Sequence, residues 1–168
     1  IVGAILLFAS AFTSGGDIAE QSEQEKERKK AQQDDYEKVV ALNDILTKGA
    51  EDGSRKVEEL IASGLDVNMP MYDDMTPLMV ASKSNNLCII DKLVGLGAHI
   101  RAADNDGRSA LMHAAQKTSN PEIIEYLLKA GSNAHARDDK GMRAVDYARQ
   151  NKYLADTEAL RALEDASR

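Results

Sequence analysis

A six-residue pattern returns three times in register along this chain, as TPLMVA (76–81), SALMHA (109–114) and RAVDYA (143–148). Leu78 and Leu111 stand 33 positions apart, and Leu111 and Val145 stand 34 apart. Glycines keep the same step, with Gly64 and Gly97 separated by 33 and Gly97 and Gly131 by 34. The extra residue falls in KTSNPE (117–122), a polar stretch between two apolar runs, where an insertion at a turn does least harm. A fixed period of this length means stacked copies of one small unit, because a single unit cannot bury its own apolar face.

Each unit reads as a helix–turn–helix followed by a hairpin loop. Thr76-Pro77 and Ser109 supply a cap and first-turn residue for a short helix. A second helix follows, with apolar residues at i, i+1, i+4 and i+5: Ile89, Ile90, Leu93 and Val94, then Ile123, Ile124, Leu127 and Leu128. That spacing makes one wide apolar face. Gly97 and Gly131 stand where a helix end needs a left-handed residue. Two Phe, five Tyr and no Trp leave the core to aliphatic side chains, which suits thin helical layers.

The period, the TPLMVA and SALMHA starts, the helix-ending glycines and GLDVN (64–68) together resemble the ankyrin repeat, whose signature is T-P-L-H-x-A. The resemblance spans roughly 41–163 and implies an all-α solenoid that binds protein and carries no catalytic centre or cofactor. The chain departs from the family pattern in four places. Met79 and Met112 replace the usual His, removing its hydrogen bond at the helix start. Met75 is read as standing where Gly107 and Gly141 end the later hairpins, so the first hairpin is expected to be built differently. The first unit, about 43–64, lacks the TPLH start and is expected to keep only its second helix, with Val57, Leu60 and Ile61. The last unit ends in a helix with Leu160 and Leu163 and then a charged tail. Two full repeats between two degenerate ones, with polar caps at both ends, is the expected layout.

Two segments precede the repeat domain (41–168). The first, 1–16, reads IVGAILLFASAFTSGG and carries no charge; Ile1, Val2, Ile5, Leu6, Leu7, Phe8 and Phe12 make it a candidate membrane anchor. As a helix it reaches roughly 24 Å against a hydrocarbon core of about 30 Å. A retained anchor, or a segment docked on a membrane complex, is favoured over a signal peptide cleaved after Ala9-Ser10-Ala11. The second segment, 17–40, is crowded with charge, lacks a heptad seam and is expected to be a solvated helical stem with pairs such as Glu25–Lys29. A sharper reading has Lys26, Arg28, Lys29 and Lys30 touching anionic lipid or a partner, which the interspersed acids weaken.

Chemistry is sparse. The net charge of −7 argues against nucleic acid as a partner, since that binding rests on Lys and Arg displacing counterions. Cys88 is the one cysteine and lies in an apolar run (87–90), which points to a packed thiol. His99, His113 and His135 show no metal-ligand spacing, and no Ser-His-Asp order or phosphate-cradling loop occurs. Asp73, Asp74, Asp104, Asp106, Asp138 and Asp139 cluster at the hairpin tips. They read either as turn chemistry or as a ridge for a basic partner surface. By the resemblance, protein is bound on the concave side, at hairpin tips and first-helix positions. Val80, His113 and Tyr147, with Ser84 and Lys117 one turn on, are then candidate contacts beside the aspartates. The expected whole is a scaffold or accessory subunit tethered to a membrane complex, such as a photosynthetic (thylakoid) or respiratory one. The alternative is a secreted or periplasmic inhibitor or immunity partner.

Overall fold

The computed structural model describes residues 15–49 and 52–168, with side chains from residue 23 onward. The candidate anchor residues Ile1, Val2, Ile5, Leu6, Leu7, Phe8 and Phe12 lie outside the described residues. Among those described, no helix is long and apolar enough to cross a membrane. The chain divides into two compact units, Ile1–Glu37 and Lys38–Arg168.

In the first unit, helix α1 (Gly15–Lys48) presents exposed side chains throughout residues 23–37. Glu25 and Lys29 do pair, at 3.3 Å, and Lys26 meets Glu23 at 3.4 Å. Both pairs are exposed to water, so they contribute little beyond local helix support.

The second unit is a row of helix pairs: the end of α1 with α2 (Gly53–Ala62), α3 (Pro77–Ser82) with α4 (Leu87–Gly95), α5 (Ala110–Lys117) with α6 (Pro121–Lys129), and α7 (Ala144–Ala148) with α8 (Glu158–Ala166). Short first helices stack on one side, α3 on α5 and α5 on α7, while α2 packs on α4 and α6 on α8. The described residues contain no strand beyond one antiparallel bridge, Ala103 with Ser109. The core is the repeated aliphatic set: Ile89, Ile90, Leu93, Ile123, Ile124 and Leu127 are fully buried. Each such side chain gains about 1.5–3 kcal/mol from burial. Val94 and Leu128, the last members of each expected face, are only half-buried.

The local signals act as the residues dictate. Thr76 and Ser109 cap α3 and α5, accepting from the N–H groups of Met79 and Met112 at 3.4 Å. Met79 partly restores what its missing imidazole removes, because its sulfur accepts from the Thr76 N–H at 3.4 Å, a weak acceptor in a buried place. Gly97 ends α4 at φ +93°, where Ala98 N–H reaches Leu93 O and Gly97 N–H reaches Val94 O. This paired capping repeats at Gly131, with Ser132 N–H on Leu127 O and Gly131 N–H on Leu128 O. The inserted residue lies in the turn as expected: Asn85 Oδ1 accepts from both the Thr118 hydroxyl and the Ser119 N–H at 2.7 Å.

Three expectations are corrected. The first repeat does have a first helix, formed by the end of α1, whose Leu42 and Leu46 are fully buried and Ile45 nearly so. A TPLH start is dispensable there because the helix arrives already running and needs no N-terminal cap. Cys88 is exposed. Helical geometry turns Ile89 and Ile90 inward and leaves Cys88 and Asp91 on the solvent side, so an apolar run was a poor guide to that one position. Finally, the glycine slot of the first hairpin belongs to Asp74, not Met75. Asp73 and Asp74 take φ of 55° and 54°, while Met75 is extended at φ −66° and matches Arg108 and Met142. Aspartate tolerates the left-handed region through local hydrogen bonding, which lets this turn dispense with glycine.

Candidate functional site

Three hairpin tips stand side by side. In each, the first residue's N–H bonds the carbonyl four residues on: Met71 to Met75 at 2.8 Å, Asp104 to Arg108 at 3.0 Å, and Asp138 to Met142 at 3.0 Å. Neighbouring tips are stitched by backbone, Asn105 N–H to Asp73 O at 3.4 Å and Asp139 N–H to Asp106 O at 3.0 Å. This fixes the tips as a row.

The six candidate aspartates separate into two kinds. Asp73, Asp74, Asp106 and Asp139 are exposed. Asp104 and Asp138 point inward and organise their own tips. Oδ1 of Asp104 accepts from the N–H groups of Asp106 and Arg108 at 3.0 and 2.8 Å, and its Oδ2 lies 2.7 Å from Nε2 of His113. Asp138 repeats this, taking the N–H groups of Lys140 and Met142 at 2.9 and 2.8 Å and the Tyr147 hydroxyl. For these two, turn chemistry is the whole explanation.

The first-helix candidates are corrected in the same way. Val80, His113 and Tyr147 are 2%, 4% and 7% exposed. They form the floor beneath the tips, and of the three only His113 reaches the wall of a cleft. Ser84 is half-buried and spends its hydroxyl on Ala81 O at 2.8 Å, and Lys117 is exposed.

Burial sets the electrostatics of this floor. It pushes the His113 imidazole below its ordinary value, outweighing the Asp104 carboxylate, and the Lys83 and Arg108 cations add to the effect. Asp138 goes the other way. Burial opposes its ionisation, yet the Tyr147 hydroxyl, the two backbone N–H groups and Arg108 hold its carboxyl below the usual range. Tyr147 is raised by burial and by Asp138. Arg108 joins two tips: its guanidinium lies 3.6 Å from Asp106 and 3.9 Å from Asp138, and 5.7 Å above the Tyr147 ring.

Between the first and second tips lies a cleft of about 310 Å³, walled by Tyr72, Asp73, Lys83, Asp106, Arg108 and His113. It brings together four of the candidate residues, Asp73, Asp104, Asp106 and His113. Tyr72, Lys83 and Arg108 were missed by sequence reasoning. The signal for Tyr72 was available, since an aromatic side chain replaces Asn105 and Asp139 of the later tips and is 49% exposed. Among the described residues, no group of three or more His, Cys, Asp or Glu is arranged to hold a metal ion.

A family model described as ankyrin repeats (3 copies) matches residues 45–139 and 89–165, well over half the chain. Modules of this family are generally non-catalytic and bind protein. The stacked helix pairs, stitched tips and cleft are thus those of a protein-interaction domain, and the chain belongs to the ankyrin-repeat family.

Proposed function

We propose that this protein is a non-catalytic scaffold that grips a protein partner with the row of hairpin tips and the cleft behind them. The apolar run containing Ile5, Leu6, Leu7 and Phe8 tethers it to a membrane assembly as an accessory subunit. The observation that carries the binding reading is the cleft itself. It is open, lined by an exposed tyrosine and unsheathed carboxylates, and seated on a floor organised by the bond between Asp104 and His113. Aromatic residues in preorganised surroundings are the usual energetic anchors of an interface. The tether reading rests on the absence of any charge in residues 1–16 and on the abrupt start of charge at Asp17. The helix that follows then serves as a solvated spacer between membrane and repeats.

A photo-crosslinking residue at position 72 should capture the partner, while one at exposed Glu122 on the second-helix side should not. Capture from position 122 alone would overturn the binding reading. Fractionation tests the tether: the full chain should need detergent, and a chain starting at residue 17 should not. A full chain that is soluble without detergent refutes the anchor and favours the secreted or periplasmic inhibitor instead.

A further inference from the structure

We propose that the first tip is a redox-sensitive device, in which a hydroperoxide oxidises Met71 and the tip then leaves its floor. Its consequence, loss of the Tyr72 wall of the cleft, rests on the binding reading above. Three of the chain's six methionines, Met69, Met71 and Met75, stand in this one tip. In register they replace Ala102, Asp104 and Arg108 of the second tip and Ala136, Asp138 and Met142 of the third. Met75 is 3% exposed, whereas Met69 and Met71 are half-buried, packed on the core at one side and open to solvent at the other. The chemistry is a two-electron oxygen transfer: the O–O bond breaks, one oxygen joins the Met71 sulfur, and water or an alcohol leaves. An apolar thioether becomes a polar sulfoxide. In the later tips a polar side chain at this position is held by donors, the N–H groups of Asp106 and Arg108 with His113, or those of Lys140 and Met142 with Tyr147. The first tip lacks that set. Val80, 2% exposed, has no donor to give, and Met75 N–H already bonds Tyr72 O at 3.1 Å. The new oxygen therefore finds its donors in water, which favours the tip turned away from its floor.

Met142 supplies an internal control, because it is half-buried too but its tip is held by Asp138 and Tyr147 whatever its own side chain becomes. The full-length chain is treated with hydrogen peroxide, its sulfoxides are mapped by peptide mass, and amide hydrogen exchange is followed. Met69, Met71 and Met142 should take up oxygen before the buried Met75, Met79 and Met112 do. The Met71 and Met75 amides, whose bonds close the first tip, should then exchange about tenfold faster. Those of Asp104, Asp138 and Gly141 should keep their rates, and methionine sulfoxide reductase should restore the first tip. Met71→Leu, apolar and unable to oxidise, should abolish the acceleration, while Met69→Leu should preserve it. A Met71 that stays unoxidised while Met142 reacts, acceleration that survives Met71→Leu, or loosening spread over all three tips would each overturn the proposal. The binding reading is judged separately. If oxidation frees the first tip but capture of the partner from position 72 is undiminished, the device stands and the grip assigned to that tip fails.

Discussion

The first hairpin tip and the two after it share one backbone plan and rest on different floors. Under the second tip the floor is Asp104 with His113, and under the third it is Asp138 with Tyr147. At the matching positions of the first tip stand Met71 and Val80. In every case the tip residue precedes its floor residue by nine positions, and the two change character together, polar with polar and apolar with apolar. A buried carboxylate is tolerable only when donors converge on it. Where the floor offers no donor, as at Val80, the tip residue is a thioether. The comparison shows that the inward aspartates are parts of a two-residue lock, and that the outward ones stand exposed outside it.

Breaking a polar lock should have the largest effect. Asp138→Ala strands the Tyr147 hydroxyl and two backbone N–H groups and leaves Arg108 short of a counter-charge, at a cost of about 3 kcal/mol. Met71→Ala, at half-buried Met71, should cost about 1 kcal/mol, mostly lost packing. Urea unfolding midpoints measure both. Equal losses would mean that the polar and apolar floors do the same job by the same means.

Transplanting the lock sharpens the point. Met71→Asp alone should cost about 2 kcal/mol, because Val80 offers the new carboxylate no donor. Adding Val80→His should recover about 1 kcal/mol of coupling. Recovery will be partial, since the first tip is a tight turn in which Met75 N–H already bonds Tyr72 O at 3.1 Å. A double variant no better than the sum of its singles would show that the nine-residue pairing is coincidental.

The tips also differ in what lies beyond them. Gly107 and Gly141 share φ of +74°, so each resists a side chain equally on backbone grounds. A Cβ on Gly107, however, would come within 2.9 Å of Asp139 Oδ1 and 3.2 Å of Asp139 N, because the third tip is stitched against the second. Among the described residues, a Cβ on Gly141 meets nothing within 4 Å. Gly107→Ala should therefore cost about 2 kcal/mol and Gly141→Ala about 1 kcal/mol. Thermal melts of the pair test the difference, and a larger loss for Gly141→Ala would contradict the stitching.

Much of this was readable from residues alone. The step of 33 or 34, the capping Thr76 and Ser109 and the aliphatic pairs at 89–90 and 123–124 report local, periodic physics, and each does in the structure what its chemistry demands. The division among the aspartates was not read, since all six share the composition of a turn and direction is set by backbone geometry three-dimensionally closed by the next tip. The nine-residue covariation of Met71/Val80, Asp104/His113 and Asp138/Tyr147 was present within the one chain and would have revealed it. Lys83 and Arg108 were harder to find. Their place in the cleft depends on two neighbouring units coming together, which no single unit's pattern encodes.

The smallest effect expected is a pH dependence that only the second tip has. His113 carries an imidazole held neutral by burial, with its protonation pushed below the ordinary value of 6.5. In the unfolded chain the ring returns to that value, so between about 6.5 and the depressed native value the unfolded state binds a proton that the folded state refuses. Stability is then fully present above about 6.5 and declines as the pH falls through that window, by at most about 1.4 kcal/mol per pH unit for one site. The third tip cannot show this, because its floor is Tyr147, a neutral phenol throughout the acid range, and its Asp138 is held below 3.8, which places its own loss at much lower pH. His113→Tyr makes the second floor like the third, keeping a donor for Asp104. It should flatten the stability profile below pH 6.5 while leaving the neutral-pH midpoint within about 1 kcal/mol of the parent. Unfolding midpoints taken at half-unit steps from pH 7.5 to 5 decide the matter. A slope that survives His113→Tyr would assign the acid sensitivity elsewhere, and the contrast between the two polar floors would reduce to their shapes.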